Sequence, residues 1–411
     1  MTFRIPLALG IALVLAQPAF AQIPPERPPE QTRPVEIDPA SMVPAEWTMD
    51  QAAPVSGERY WATFDGLAGW ISGANVPPLL TISTPKTPQA NAGILGLQST
   101  TIVNPSRVNE DERCGTRLTA GLWLNCDHTF GFEAGFMMLE SEANIVSLTS
   151  DSLNPILARP YVDANTNKEQ AVLLAFPGLA NGSGEVRASS GNLYEVHLDF
   201  TENFINCCGW RVDSILGYRF YHYDEGLRVR QAILPTNPNF VPGTVIAAQD
   251  NFSAQNQFHG CDIGFKTSYC WCDWTLGLLA KAAAGCVNQE VDISGNTVTT
   301  VPGVAPVVNN GGILALQSNI GTHRSHDWVV LPEFGGNLSW QMSCNVRLHA
   351  GYSILFLDRI ARAADQIDLT VNPNLFPPVG ANPAGPSRPA FSLERSDIWM
   401  QNISFGVEIN F

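Results

Sequence analysis

Apolar and polar residues alternate along most of the chain from Arg59 onward. A β-strand sends successive side chains to opposite faces, so this alternation predicts strands with two unlike faces. Segment 397–411 shows it most clearly. Trp399, Ile403, Phe405, Val407, Ile409 and Phe411 share one parity. Met400, Asn402, Ser404, Gly406, Glu408 and Asn410 share the other. The split recurs in 129–138, 328–341 and 345–356, where Phe132, Phe334 and Tyr352 stand on the apolar parity and Glu133, Gly335 and His349 on the other. Ten segments follow the pattern: about 59–71, 115–125, 129–140, 192–204, 210–230, 256–269, 274–293, 327–341, 345–362 and 397–411.

The connections alternate too. Residues 126–128, 205–209, 270–273 and 342–344 are short turns. Residues 72–114, 141–191, 231–255, 294–326 and 363–396 are long. A water-soluble β-sandwich explains the alternation but gives no reason for all short turns to lie at one end. A transmembrane barrel has that asymmetry, with short periplasmic turns, long outer loops and an even strand number. Each segment also reaches the roughly 9–11 residues a tilted strand needs to cross a bilayer. The expected fold is therefore all-β: one antiparallel transmembrane β-barrel of ten strands over 57–411. A hairpin hidden in a long loop, 141–191 above all, would raise the count to twelve. The barrel must close, because an open edge leaves unpaired backbone groups in lipid.

Aromatics near the segment ends (Tyr60, Trp70, Trp123, Trp210, Tyr269, Trp274, Trp328, Trp340, Trp399 and Phe411) suit an interfacial girdle. The bilayer is thus the first expected partner. The closing strand on Phe411 resembles the strand by which outer-membrane barrels are handed to their assembly machinery, an expected second partner.

The polar parity would line the lumen. It holds the acids Asp65, Glu133, Glu195, Asp199, Asp213, Asp262, Glu333 and Glu408, and the bases Arg117, Arg211, Arg219, Lys266, Lys281 and Arg347. On the lipid side, charges near the midplane would cost up to about 2–4 kcal/mol each. In a wide, wet lumen they act as a filter. In a narrow one they pair into a packed polar core, and ten strands lie near that closed limit.

The N-terminus reads as an export signal: Arg4, the apolar run 5–16, and Ala19 and Ala21 at the cleavage-selecting positions. Cleavage is expected after Ala21. The apolar run is too short for a membrane-spanning helix. Residues 22–56 are rich in proline and suit a disordered or semi-rigid tether.

Composition narrows the functions. The net charge of −15 argues against a nucleic-acid partner, since phosphate binding needs clustered Lys and Arg. Six of nine cysteines (Cys126, Cys207, Cys208, Cys270, Cys272 and Cys344) fall in the short turns. An exported chain permits disulfides, so cross-links between turns or within 270–272 are expected. A metal site is the weaker alternative, because the spacing lacks paired Cys-x-x-Cys motifs. His222, His259, His323 and His326 lie near the expected outer rim, with Asp224 and Asp327 close in sequence. No nucleophile or His-Glu-x-x-His motif accompanies them, so no enzyme, cofactor or metal is expected. Residues 93–99 and 312–318 echo one another in two outer loops, as apolar stretches suited to plug or cover the barrel mouth.

Residues 312–320, 328–340, 346–355 and above all 364–378 (ADQIDLTVNPNLFPP) resemble the planctomycete family called putative beta-barrel porin 7. Its most specific elements here are Asp365-Gln366-Ile367-Asp368 and Asn372-Pro373-Asn374. The resemblance implies an outer-membrane barrel and carries no catalytic or ligand-binding residue. The acids of that motif suit capping of loop turns. The expected function is passive diffusion of small solutes through a porin-like barrel. The alternative is a closed structural or surface-recognition barrel acting through its long loops.

Overall fold

The computed structural model describes residues 59–151, 155–381 and 383–411. The export signal expected at 1–21 and the tether at 22–56 lie outside the described residues. Among those residues the regular structure is strand, apart from three single-turn 3-10 helices.

Ten strands pair into a ring: β1 (Tyr60–Ile71), β2 (Arg113–Trp123), β3 (Phe130–Leu139), β4 (Leu193–Cys207), β5 (Trp210–Pro235), β6 (Val245–Trp271), β7 (Trp274–Thr300), β8 (Gly321–Ser343), β9 (Val346–Ile360) and β10 (Ser396–Asn410). Each is antiparallel to its chain neighbour, and β1 meets β10 through Trp61 opposite Asn410 to Ile71 opposite Met400. Each alternating segment in the sequence corresponds to one ring strand. At the Cys208-Gly209 turn both residues have positive φ (55° and 82°), the twist a two-residue hairpin needs.

Four strands run much further than the sequence pattern implies. β5, β6, β7 and β8 contain 26, 27, 27 and 23 residues. The cause is a reversal of the two faces along one strand. On the short-turn side, β5 points Leu216 and Tyr218 outward and Asp213 and Arg219 inward. Past Tyr221 its outward residues are His222, Asp224, Arg228 and Arg230, while Leu227 and Val229 are buried inside. β6 and β7 reverse likewise, with Gln255 and Asn288 outside and Phe252, Val291 and Ile293 inside, whereas upper β8 is polar on both faces, with Arg324 and His326 outside and His323, Ser325 and Asp327 inside. Period-two alternation continues, but its polarity flips, so the segments look as though they end.

The long stretches of β5–β7 form a wall beyond the ring. The 141–191 loop does contain hairpins, but they add no ring strand. Ala180–Ser190 pairs with the upper half of β5, and Glu142–Ser150 pairs with Ala180–Ser190. The ring count stays at ten because these residues pair only where β5 has risen past β4. A second sheet, in the order 168–175, 156–163, 81–83, 100–102, faces the wall, with Thr370–Val371 parallel to 156–163.

Between wall and second sheet lies an apolar core. Leu80, Leu157 and Leu174 meet Val186, Leu227, Val229, Phe252, Val291 and Ile293, with Ile313, Leu314 and Leu316 inserted. The long loops therefore form a folded cap. Asp250 fastens it: its Oδ1 accepts the backbone N–H groups of Ile313, Leu314 and Ala315 at 2.9, 3.0 and 2.8 Å. Its Oδ2 lies 2.7 Å from the Arg159 guanidinium of the second sheet. The 312–318 stretch is thus packed into the core of the cap. Its sequence echo at 93–99 plays a different part, with Gly93 bonded to Ser83 and Thr81. At the edge of the second sheet, the Asn165 backbone N–H holds the Asp163 carboxyl below the usual range.

Candidate functional site

The ring interior is filled in layers. Nearest the cap, Arg362 on the segment after β9 donates to Glu225 at 2.6 Å and to the carbonyls of Ser72 and Gly73 at 2.9 Å each. Asn256 exchanges two hydrogen bonds with the Ala361 backbone, both at 2.9 Å. These bonds latch the last long loop over the opening. Beneath it, Leu67, Met137, Tyr221, Tyr223, Phe258, Leu331, Leu355 and Met400 form a buried apolar layer.

The next layer is ionic. Its pairs join neighbouring strands and strands up to three apart around the ring. Arg219 on β5 reaches Glu333 on β8 at 2.5 Å, Asp262 on β6 at 2.9 Å and Glu195 on β4 at 3.5 Å. Lys281 on β7 reaches Asp199 on β4 and Asp262 on β6, both at 2.9 Å. Asp65 on β1 pairs with His349 on β9 at 2.5 Å, across Gly406 of β10. A Cβ at Gly406 would fall 2.2 Å from Asp65 Oδ1, so only glycine leaves room for that crossing. Arg117 on β2 points toward Ser353 on β9 and Asn402 on β10, 3.4 Å from each.

Nearer the short turns the interior becomes wetter. Lys266 lies 3.7 Å from Glu133 with its side chain 53% exposed. Arg211 pairs with Asp213 at 2.8 Å, and Arg347 with Glu408 at 2.9 Å. All fourteen charged residues named from the sequence thus share the inner face. Ten join the cross-ring network or its rim, Arg211–Asp213 and Arg347–Glu408 pair locally, and Glu195, Asp199, Arg219, Asp262, Lys281 and Glu333 make the dry waist. Arg219 and Asp262 are each 0% exposed.

Sequence reasoning missed several partners. His197 and His349 stand on the same parity as the acids, outside the list of permanent charges. Trp123 is expected in the outer girdle. It instead faces inward against Trp61 at 4.8 Å, under the Arg211 guanidinium, because it shares parity with Arg117 and Gly121. The apolar layer was also missed, since its residues look like a lipid-facing set until the register places them.

The six turn cysteines do lie in or beside the short turns and are exposed, but no disulfide joins them; all nine cysteines are free thiols. Tight hairpin pairing turns these side chains into solvent. Arg59 donates to Cys126 Sγ at 3.0 Å, and Cys270 Sγ lies 3.4 Å from Thr275 Oγ1. The four rim histidines do not converge. His222 stacks on Tyr194 and lies 3.4 Å from Asp224, His259 meets the Tyr218 hydroxyl at 2.7 Å, and His323 stacks on Phe391 at 3.7 Å. His326 lines a shallow polar groove on the outer wall with Gln257, Asn288 and Arg324. Asp327 is taken by Arg359 and Arg395.

The 365–374 motif staples its own loop. Asp365 pairs with Ser396, and Gln366 bonds the backbone of Arg362 and Glu394. Asp368 accepts from Thr370 N, Arg388 and Ala390 N. Asn372 caps the Pro373–Leu375 turn and donates to Ala384 and Pro386 carbonyls.

A family profile described as Putative beta barrel porin-7 matches residues 61–411. The chain belongs to that family. As a porin-7 barrel it includes the ring, cap and loop motif described above. A comparison with curated proteins finds no match. Among solved structures, it is similar to the outer membrane protease OmpT of Escherichia coli at 11% identity, covering 87% of this chain and 98% of that one, with a TM-score of 0.42. It is also similar to a FadL homologue of Pseudomonas aeruginosa (7% identity, 86% and 90% covered, TM-score 0.23). A third is the toluene transporter TodX of P. putida (8% identity, 87% and 92% covered, TM-score 0.20). What this porin-7 chain does is read from its own residues.

Proposed function

We propose that this chain is an outer-membrane β-barrel whose bore is closed and whose folded cap is its working surface. Its lipid belt runs between the aromatic levels of the ring. Trp328 and Trp340 face outward on β8, and Trp399 and Phe411 outward at β10, each pair twelve residues apart. Twelve residues at about 3.3 Å, tilted by roughly 35–45°, span about 30 Å along the barrel axis, close to the apolar band and its girdles. Beyond Trp328 the outer face turns polar, as a wall standing in water requires.

The observation that carries the closed bore is the dry ionic waist beneath an apolar layer. A standing aqueous path would wet Arg219 and Asp262. Buried ion pairs tie β4 to β7 and β5 to β8 inside the ring. Passive diffusion of small solutes, the function that the family's description suggests, needs that waist to open. The cap then carries the protein's outside contacts through recognition or envelope architecture. The separate engagement of the four rim histidines favours a non-enzymatic role.

Planar-bilayer recording tests this reading. The purified mature barrel is expected to give no stepwise openings at moderate voltage. Steady openings of fixed size in the unmodified protein would overturn the closed bore and favour diffusion.

A further inference from the structure

The ionic layer contains a cluster whose coordinating capacity the ion pairs leave partly unused. Glu133 on β3 and Asp199 on β4 are directly paired in register, and His197 lies two residues along β4 on the same face. Each offers one ligand atom, and the three atoms lie within 4.8 Å of one another. Imidazole with carboxylates is a donor set for Zn2+ and neighbouring divalent transition metals.

A further observation points to a cation. Asp199 is buried, and its Oδ1 has no hydrogen-bond partner, while Lys281 engages Oδ2. A carboxylate also stands beside the other ring nitrogen. Glu195 Oε1 lies 3.7 Å from His197 Nδ1, on the opposite side of the ring from Nε2, which faces Glu133 Oε1 at 3.7 Å. Drawn in to hydrogen-bond distance, a carboxylate at Nδ1 fixes the tautomer that leaves Nε2 for a metal. Gly135 seats the ring, since a Cβ there would fall 2.1 Å from His197 Cε1. Solvent reaches the cluster: the His197 and Glu133 side chains are 13% and 17% exposed.

We propose that Glu133, His197 and Asp199 bind one divalent transition-metal ion, with Glu195 orienting the imidazole and an approach from the short-turn side. A side-chain contraction of about 1 Å would bring the three atoms to bonding distance of a common ion. Binding does not depend on whether the bore conducts.

The test uses full-length mature protein folded in detergent micelles, with all nine cysteines replaced by serine and bound metal stripped by a chelator. Titration calorimetry with Zn2+ alone is expected to show one saturable site per chain. His197→Gln and Asp199→Asn should each weaken it at least tenfold, and Glu195→Gln by about tenfold. Heat-modifiable gel migration confirms that each variant is folded. Should a variant not fold, the Co2+ absorption spectrum of the unsubstituted cluster decides, with intense tetrahedral bands expected. Absence of saturable Zn2+ binding, affinity unchanged in folded His197→Gln and Asp199→Asn, or a Co2+ spectrum like that of the free aqueous ion would each overturn the proposal.

Discussion

Replacing Arg219 with alanine is expected to destabilise the protein by about 3–5 kcal/mol, the effect of leaving a buried ionic partner uncompensated. The guanidinium holds Glu333, Asp262 and Glu195 together. Its removal takes the guanidinium from Glu333 and Glu195 in the driest part of the ring and leaves Asp262 with Lys281 alone. Lys281 retains Asp262 and Asp199 but reaches neither Glu333 nor Glu195 in its present pairing. Removing the charges together separates packing from electrostatics. Arg219→Met combined with Glu195→Gln, Asp262→Asn and Glu333→Gln should recover most of the loss, because neutral partners leave no stranded ion. Urea unfolding in phospholipid vesicles, followed by tryptophan fluorescence, measures both variants. A loss below about 1 kcal/mol for Arg219→Ala would mean that water screens the waist as it screens an exposed pair.

Phe405→Arg is expected to cost about 2–4 kcal/mol, the penalty for a cation on the lipid face near the midplane. Phe405 lies midway between Trp399 and Phe411 and faces outward. Phe334 occupies the matching place between Trp328 and Trp340. The same cation two residues past Trp328, as His326→Arg, should change stability by no more than about 0.5 kcal/mol. His326 already stands among Gln257, Asn288 and Arg324 on the wet side of the reversal. Vesicle unfolding of the two variants compares them directly. Equal penalties at positions 405 and 326 would remove the boundary from Trp328.

Much of the ring was legible because alternation is local. Leu216 and Tyr218 against Asp213 and Arg219 identify a strand and its faces without any knowledge of neighbours. The upper halves were not legible by the same rule. In β5 the apolar side moves from the Leu216 face to the Leu227 face, and only the cap beyond explains why. The hairpins of 141–191 were visible as strand-forming sequence, but their place depends on the height to which β5 rises. The charged interior could be listed by parity, whereas its pairs could not. Arg219 and Glu333 are 114 residues apart, and their meeting depends on the stagger of strands around the ring. His349 stands on the polar parity in the sequence and His197 shares it, but a list of permanent charges leaves both out. Cysteine positions followed from the short turns; their thiol state did not.

The central claim is that the outward face of the ring between its aromatic levels meets hydrocarbon, with the wall beyond it in water. Spin labels placed singly along β8 in a cysteine-free chain measure this in lipid vesicles. Positions 330, 334 and 338 should be open to oxygen and shielded from a water-soluble nickel complex. Positions 322, 324 and 326 should show the reverse, with the change at Trp328. Nickel access of equal strength along the whole strand would contradict the account.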